Sequence, residues 1–249
     1  MQDAMARGWT RETQLPVGMR RSLRELNHRF LDLTGARART PLAANGAALP
    51  GEIGGRVASL STAQRAAAAN CPYALFDLRF QDDGHWRPRM QDAATLRVAE
   101  QPAVVDLSGV VDLTSVADAP RVAGAPRVAA APDIDGHSRI DLDQAEFVRL
   151  ALFYAWHVAS TAQLSAQLIL GMTERTAVPF GRMTVNRLQE LAATEGVHLT
   201  ARWSHCGIYW HALVDAASRQ DPRMLRRVQL YGIQLAAAAH LPSTPSRPT

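Results

Sequence analysis

The stretch from Gln101 to Gly136 limits every fold this chain can adopt. It is dominated by Val, Ala, Pro, Asp and Gly, holds no aromatic residue, and is broken by Pro102, Pro120, Pro126 and Pro132. Each proline removes a backbone donor and disfavours helix in the residue before it. Such a run cannot hold a packed core, so residues 100–138 are expected to be a disordered linker. A short echo inside it, Val105-Asp106-Leu107-Ser108-Gly109 and Val111-Asp112-Leu113-Thr114-Ser115, reads as chance similarity or a small hairpin. The fold must then be built from what stands on either side.

Charge divides the chain at the same place. Residues 1–97 carry 14 Arg against 9 acids, residues 98–146 carry 3 against 9, and residues 147–249 carry 10 against 5. The formal charge of +4 is therefore what two basic blocks leave after an acidic middle is subtracted. All 27 basic residues are arginine and 43 positions are alanine. Compositional drift explains that best, but every positive charge is still a permanently ionised planar fork suited to carboxylate or phosphate. With 47% apolar and 20% charged residues, the flanking blocks have enough apolar surface to bury a core.

The predicted layout is a flexible N-terminus (1–19), an N-terminal helical unit (20–99), the linker (100–138), a C-terminal helical unit (139–240) and a flexible tail (241–249). The start carries charges and no apolar signal core. The longest apolar run, Phe147 to Ala159, is interrupted by Arg149 and too short to span a bilayer. A soluble cytoplasmic protein without membrane insertion is expected. Two cysteines, Cys71 and Cys206, cannot form a disulfide scaffold or a four-cysteine zinc site.

The expected fold class is all-α. Asp141 to Leu170 reads as one long helix or two abutting ones, apolar nearly all round between Phe147 and Val158 and so buried on most sides. Gly171 breaks it. Thr173 and Thr184 are N-cap candidates, Gly196 a C-cap, and Pro222 the first turn of a last helix with a Met224, Val228, Tyr231, Leu235 stripe. In the N-terminal unit, Leu23, Leu26, Phe30 and Leu33 mark a helix over Ser22 to Leu33, and Ser61 with Gln64 forms a capping box. Alternation over Ala74 to Phe80 and over Val197 to Trp203 predicts short extended pieces.

The two units share a rhythm. An offset of 123 residues aligns Leu60-Ser61 with Met183-Thr184, Phe76 with Leu199, Arg79-Phe80 with Arg202-Trp203, Gly84 with Gly207 and Trp86 with Tyr209. Identities over residues 26–87 are six of 62, so order rather than identity carries the match. Two readings fit: a degenerate tandem duplication, or two helical units with generic punctuation in common.

One family resemblance stands on Leu170-Gly171-Met172, Glu174, Ala177, Met183-Thr184, Leu188, Leu191-Ala192, Thr194 and Arg202-Trp203, with Ala155 and Ser165-Ala166 before them. In this order and spacing the chain resembles the FlhD family of flagellar master-regulator subunits, over about residues 150–203 and more loosely to 240. The resemblance implies an all-helical protein that dimerises through long intertwined helices. It also implies transcriptional co-regulation beside a zinc-binding partner, FlhC, with DNA contacted jointly. Family members are about half as long, and the cysteine that links some protomers falls here on Leu199. A duplicated chain would be a covalent pseudo-dimer.

Candidate contacts follow. Arg202, Arg223, Arg226 and Arg227 are candidates for phosphate or partner contact, and Arg20, Arg21 and Arg24 form a further basic cluster. Phe153, Trp156, His157, Leu164 and Leu168 are candidates for a helix-bundle interface, with His157 read as a buried, hydrogen-bonded histidine. His198, Trp203, His205, Cys206, Tyr209, Trp210 and His211 cluster, but without a familiar ligand spacing, so no metal or cofactor is expected. Asp82-Asp83 with His85 reads as an exposed turn. No glycine-rich phosphate loop is present.

The expected function is a non-enzymatic co-regulator acting through a protein partner, with DNA reached only within a complex, as a homodimer or intramolecular pseudo-dimer. The alternatives are a helical adaptor in a larger bacterial assembly such as a secretion apparatus, and an enzyme using Cys206 with His205 or His211.

Overall fold

The computed structural model describes residues 15–39, 49–90 and 136–240, with side chains throughout except at 136–140, 196 and 197. The predicted tail, and the linker up to residue 135, lie outside the described residues. What is described is all-α apart from turns and one two-stranded pairing. Helix α1 (Val17–Ala38) is followed by α2 (Gly51–Ser59), α3 (Thr62–Ala69), strand β1 (Phe76–Asp77) and α4 (83–90). The second half runs through α5 (Gly136–Thr161), α6 (Gln163–Leu170), α7 (Glu174–Phe180), α8 (Val185–Thr194), a 3₁₀ turn (Glu195–His198), β2 (Thr200–Ala201), α9 (Gly207–Ser218) and α10 (Pro222–Ala238).

The helix starts follow the expected chemistry. Ser61 and Gln64 exchange the two bonds of a capping box, at 3.3 and 2.8 Å. Thr173 and Thr184 accept from the backbone N–H groups of Thr176 and Arg187. Asp221 caps α10 just before Pro222. The long segment divides into two abutting helices at Ala162, and Gly171 ends the second at φ 76°. A side chain there would be strained, and its Cβ would stand 2.9 Å from the Arg202 guanidinium.

Three boundaries differ from the sequence reading. Helix α1 begins inside the stretch taken as flexible, because Leu15 and Met19 are buried in the core. Helix α5 begins at Gly136, inside the expected linker. Gly196 does not end α8: Glu195 does, and the chain continues as a 3₁₀ turn.

One core joins the two blocks. Leu23, Leu26, Phe30 and Leu31 of α1 share it with Phe147, Val148, Ala151, Leu152 and Ala155 of α5. Phe30, Phe76 and Phe147 meet with ring centroids 5.1 to 6.1 Å apart. Asn27 is fully buried in α1, yet its amide donates to Ala69 O and Tyr73 O and its oxygen accepts from Leu75 N. That satisfies the group and ties the chain before β1 to α1.

The repeated rhythm is a repeated geometry. Trp86 Nε1 donates to the carbonyl of Leu78, and Trp210 Nε1 to that of Arg202, each eight residues back. The residue after that carbonyl has positive φ in both, 60° at Arg79 and 54° at Trp203. From the strands onward the offset is therefore 124, one more than at the caps. The correspondence of Arg79-Phe80 with Arg202-Trp203 shifts accordingly, and Arg79 matches Trp203. The close approach of the first two helices also recurs, with its glycine exchanged. Gly35 of α1 faces Ala58, whereas Gly181 after α7 faces Ala159 of α5.

The halves meet about a twofold-like seam. β1 and β2 pair antiparallel, Phe76 with Ala201 and Asp77 with Thr200. Each residue thus faces the counterpart of its neighbour, as an isologous twofold contact requires. Helix α1 packs on its counterpart α5, and α3 packs on α9. Gln64 and Arg187, which occupy matching caps, each reach across: Gln64 to Ser218 O and Arg187 to Arg89 O.

Candidate functional site

Three places in the fold hold chemistry, and the seam between the halves comes first. Glu195, from the 3₁₀ turn, is fully buried. Its Oε1 accepts from Arg89 Nε at 2.6 Å, and its Oε2 lies 2.7 Å from His85 Nε2. Arg89 also donates to His85 O at 2.8 Å, which braces the pair on α4. His198 closes the group, its ring 4.7 Å from that of His85 and nearly perpendicular to it. Burial holds the His198 imidazole below the ordinary histidine pKa, with Glu195 pulling the other way.

The matching place on the other side of the seam is neutral. Tyr209 donates to the Tyr73 hydroxyl at 3.1 Å, and the Cys71 thiol points to Ala68 O. Burial pushes the Cys71 thiol up to about 12, so it is no nucleophile at neutral pH. Tyr73 packs edge-on against Trp203 and lies against the backbone of α10 at Gly232.

Asp82 and Asp83 are not a free turn. Asp82 accepts from the backbone N–H of His85, which with Arg79 holds its carboxyl below the usual range. Asp83 accepts from the hydroxyls of Thr173 and Thr176 and so ties α4 to the start of α7. Arg56 of α2 likewise binds Asp215 and His211 of α9. The Asp83 and Arg56 bonds cross the seam.

Arg202 does not reach the surface. It is 4% exposed, and its guanidinium donates to Ile169 O at 2.6 Å and Leu168 O at 3.4 Å. It serves the open carbonyls at the C-terminal end of α6 and cannot meet a phosphate. Burial lowers its pKa to about 10, opposed by Asp77. The other predicted arginines are exposed: Arg223, Arg226 and Arg227 all lie on α10. Arg20, Arg21 and Arg24 line one wall of a groove of about 460 Å³ that Asn70, Cys71 and Gln229 complete. Among the described residues, none of these six arginines forms an ion pair.

The predicted helix-bundle residues separate. Phe153 and Trp156 are half-buried against the core, and Trp156 Nε1 donates to Met183 O at 3.0 Å. His157 is exposed, contrary to the buried reading, because it points away from the face that α5 buries. Leu164 and Leu168 on α6 stand 50% and 41% exposed. On α10 the buried stripe is Val228, Gly232 and Ala236, and Met224 lies outside it.

The cysteine–histidine cluster does not converge. His205 is exposed, Cys206 Sγ faces Tyr231 Oη at 3.7 Å, and His211 binds Arg56. Sequence reasoning missed Glu195 and its convergence with His85, 110 residues away. The only signal for it was the repeat, which aligns the turn after α8 with the turn before β1. No family model, curated protein or solved structure matches the chain.

Proposed function

We propose that this chain is a non-enzymatic transcriptional co-regulator that works as a built-in dimer, as the resemblance to the FlhD family implies. It acts through a protein partner and reaches DNA phosphates only in that company. The observation that carries the reading is the twofold-like seam, where two matching helical sets pack first helix on first helix and pair strand with strand. A homodimeric regulator presents two equal halves in this way. The exposed arginines of α1 and α10 supply phosphate contacts. A formal charge of +4 is small for autonomous DNA binding, which favours joint contact.

The experiment is a gel-shift series with the purified chain, alone and with proteins it captures from its own cells. A shift only in the presence of a captured partner, weakened by Arg226→Glu with Arg227→Glu, supports the proposal. A partner complex that ignores DNA at low salt would refute it.

The adaptor reading keeps one observation in its favour. Leu164 and Leu168 on α6, and Leu230 and Ile233 on α10, are exposed aliphatics on neighbouring helices. Co-purification with assembly components, lost in Leu164→Asp with Leu168→Asp and indifferent to DNA, would select it.

A further inference from the structure

The ionic side of the seam holds more chemistry than an ion pair needs. Arg89 and His85 already engage both oxygens of Glu195. A second imidazole, His198, nevertheless enters the same space from the turn that carries Glu195. One ligand-type atom from each of His85, Glu195 and His198 lies within 4.8 Å of the other two. Among the described residues, neither ring nitrogen of His198 takes part in a hydrogen bond. On the neutral side, Cys71, Tyr73 and Tyr209 close on one another and carry no imidazole.

We propose that His85, Glu195 and His198 form a site for a divalent metal ion of zinc type, held by two imidazole nitrogens and one carboxylate oxygen with water completing the set. Two imidazoles and a carboxylate are the donor set of borderline divalent ions, and a water in the fourth position is ordinary for three protein ligands. Arg89 fixes the carboxylate from its far oxygen, as groups behind a ligand commonly do.

The fit requires a small closure. Tetrahedral bonds of about 2.0–2.1 Å place ligand atoms roughly 3.3 Å apart. The His85–Glu195 spacing of 2.7 Å has to open slightly. His198 has to move in, which its half-exposed, unbonded ring permits. The Arg89 charge offsets the carboxylate, so affinity will be lower than for an all-anionic set. A bound ion would clamp α4 of the first half to the turn after α8 of the second.

The test uses the full chain, stripped with a chelator and titrated with Co²⁺ as the spectroscopic probe and with Zn²⁺ in competition against a chromogenic chelator. The expected result is one ion per chain, the visible bands of four-coordinate cobalt, and a melting temperature that rises with Zn²⁺. His198→Ala should keep the fold, since the ring makes no hydrogen bond, and should weaken binding at least tenfold. His205→Ala, an exposed histidine outside the group, should bind as wild type. Two outcomes would overturn the proposal: no stoichiometric binding by the wild-type chain, or undiminished binding by folded His198→Ala.

Discussion

Gly232→Ala sets two physical effects against each other. In an ordinary helix interior, replacing glycine by alanine stabilises by about 1 kcal/mol, through propensity and the reduced freedom of the unfolded chain. At this position a Cβ would stand 2.0 Å from the Tyr73 hydroxyl oxygen, 2.2 Å from Cζ and 2.8 Å from Cε1. Real contacts of this kind sit near 3.5–4.0 Å, so about 1.5 Å of relief is needed. The ring cannot supply it. Its hydroxyl accepts from Tyr209 and reaches towards Val228 O, and its ring meets that of Trp203 at 5.2 Å. Helix α10 must therefore lift, opening the packing of Val228 and Ala236. Overpacking costs typically about 1–3 kcal/mol, and a clash with a locked aromatic belongs at the upper end. The net expectation is a loss of about 2 kcal/mol, or roughly 4–8 °C in melting temperature for a chain of this size. Urea and thermal unfolding read it directly, and proteolysis should find α10 more open. Tyr73→Leu should recover part of the loss in the double variant, a coupling of about 0.5–3 kcal/mol. A Gly232→Ala chain as stable as wild type, or more so, would refute the docking of α10 on Tyr73.

Three further outcomes follow from other parts of the seam and core. Glu195→Ala leaves His85 without its buried partner, and in metal-free buffer should cost about 3 kcal/mol, the low end for a broken buried pair because Arg89 can still reach solvent. Chemical denaturation will show it. Trp156→Ala loses a half-buried ring and the bond to Met183 O, and should cost about 3 kcal/mol. A smaller loss than that of an exposed-site control such as His157→Ala would remove α5 from its central place. Cys71, with its thiol raised to about 12 by burial, should resist iodoacetamide at pH 8 in the native state and react once unfolded, as mass spectrometry can follow. Raising the pH towards that value increases its native thiolate fraction, so resistance should fade on the alkaline side.

Much of the fold was readable because it rests on local chemistry. The caps at Ser61, Thr173 and Thr184 follow from short side chains meeting open N–H groups within three residues. The break at Gly171 follows from the left-handed conformation that glycine tolerates. The repeated geometry was visible as order, but its one-residue shift was not, since six identities in 62 cannot place a single insertion. Arg202 was misplaced because an arginine beside a tryptophan carries no local mark of burial. Its fate was decided by the carbonyls of α6, more than thirty residues away. The seam group was hidden for the same reason. His85 looked like part of an acidic turn, and nothing in the local sequence singled out Glu195. Only antiparallel pairing of β1 with β2 brings them within 2.7 Å. Long-range contacts of this kind have no period in sequence.

The measurement that tests the functional account most directly is genome-wide DNA crosslinking of the tagged full-length chain in its own cells. The same experiment is run on the variant Arg223→Glu, Arg226→Glu, Arg227→Glu, which should fold, since all three side chains are exposed. The account predicts enrichment at discrete promoters for the wild type and its loss in the variant, with a protein partner recovered from both. A wild-type chain that holds its partner but enriches no promoter would contradict it.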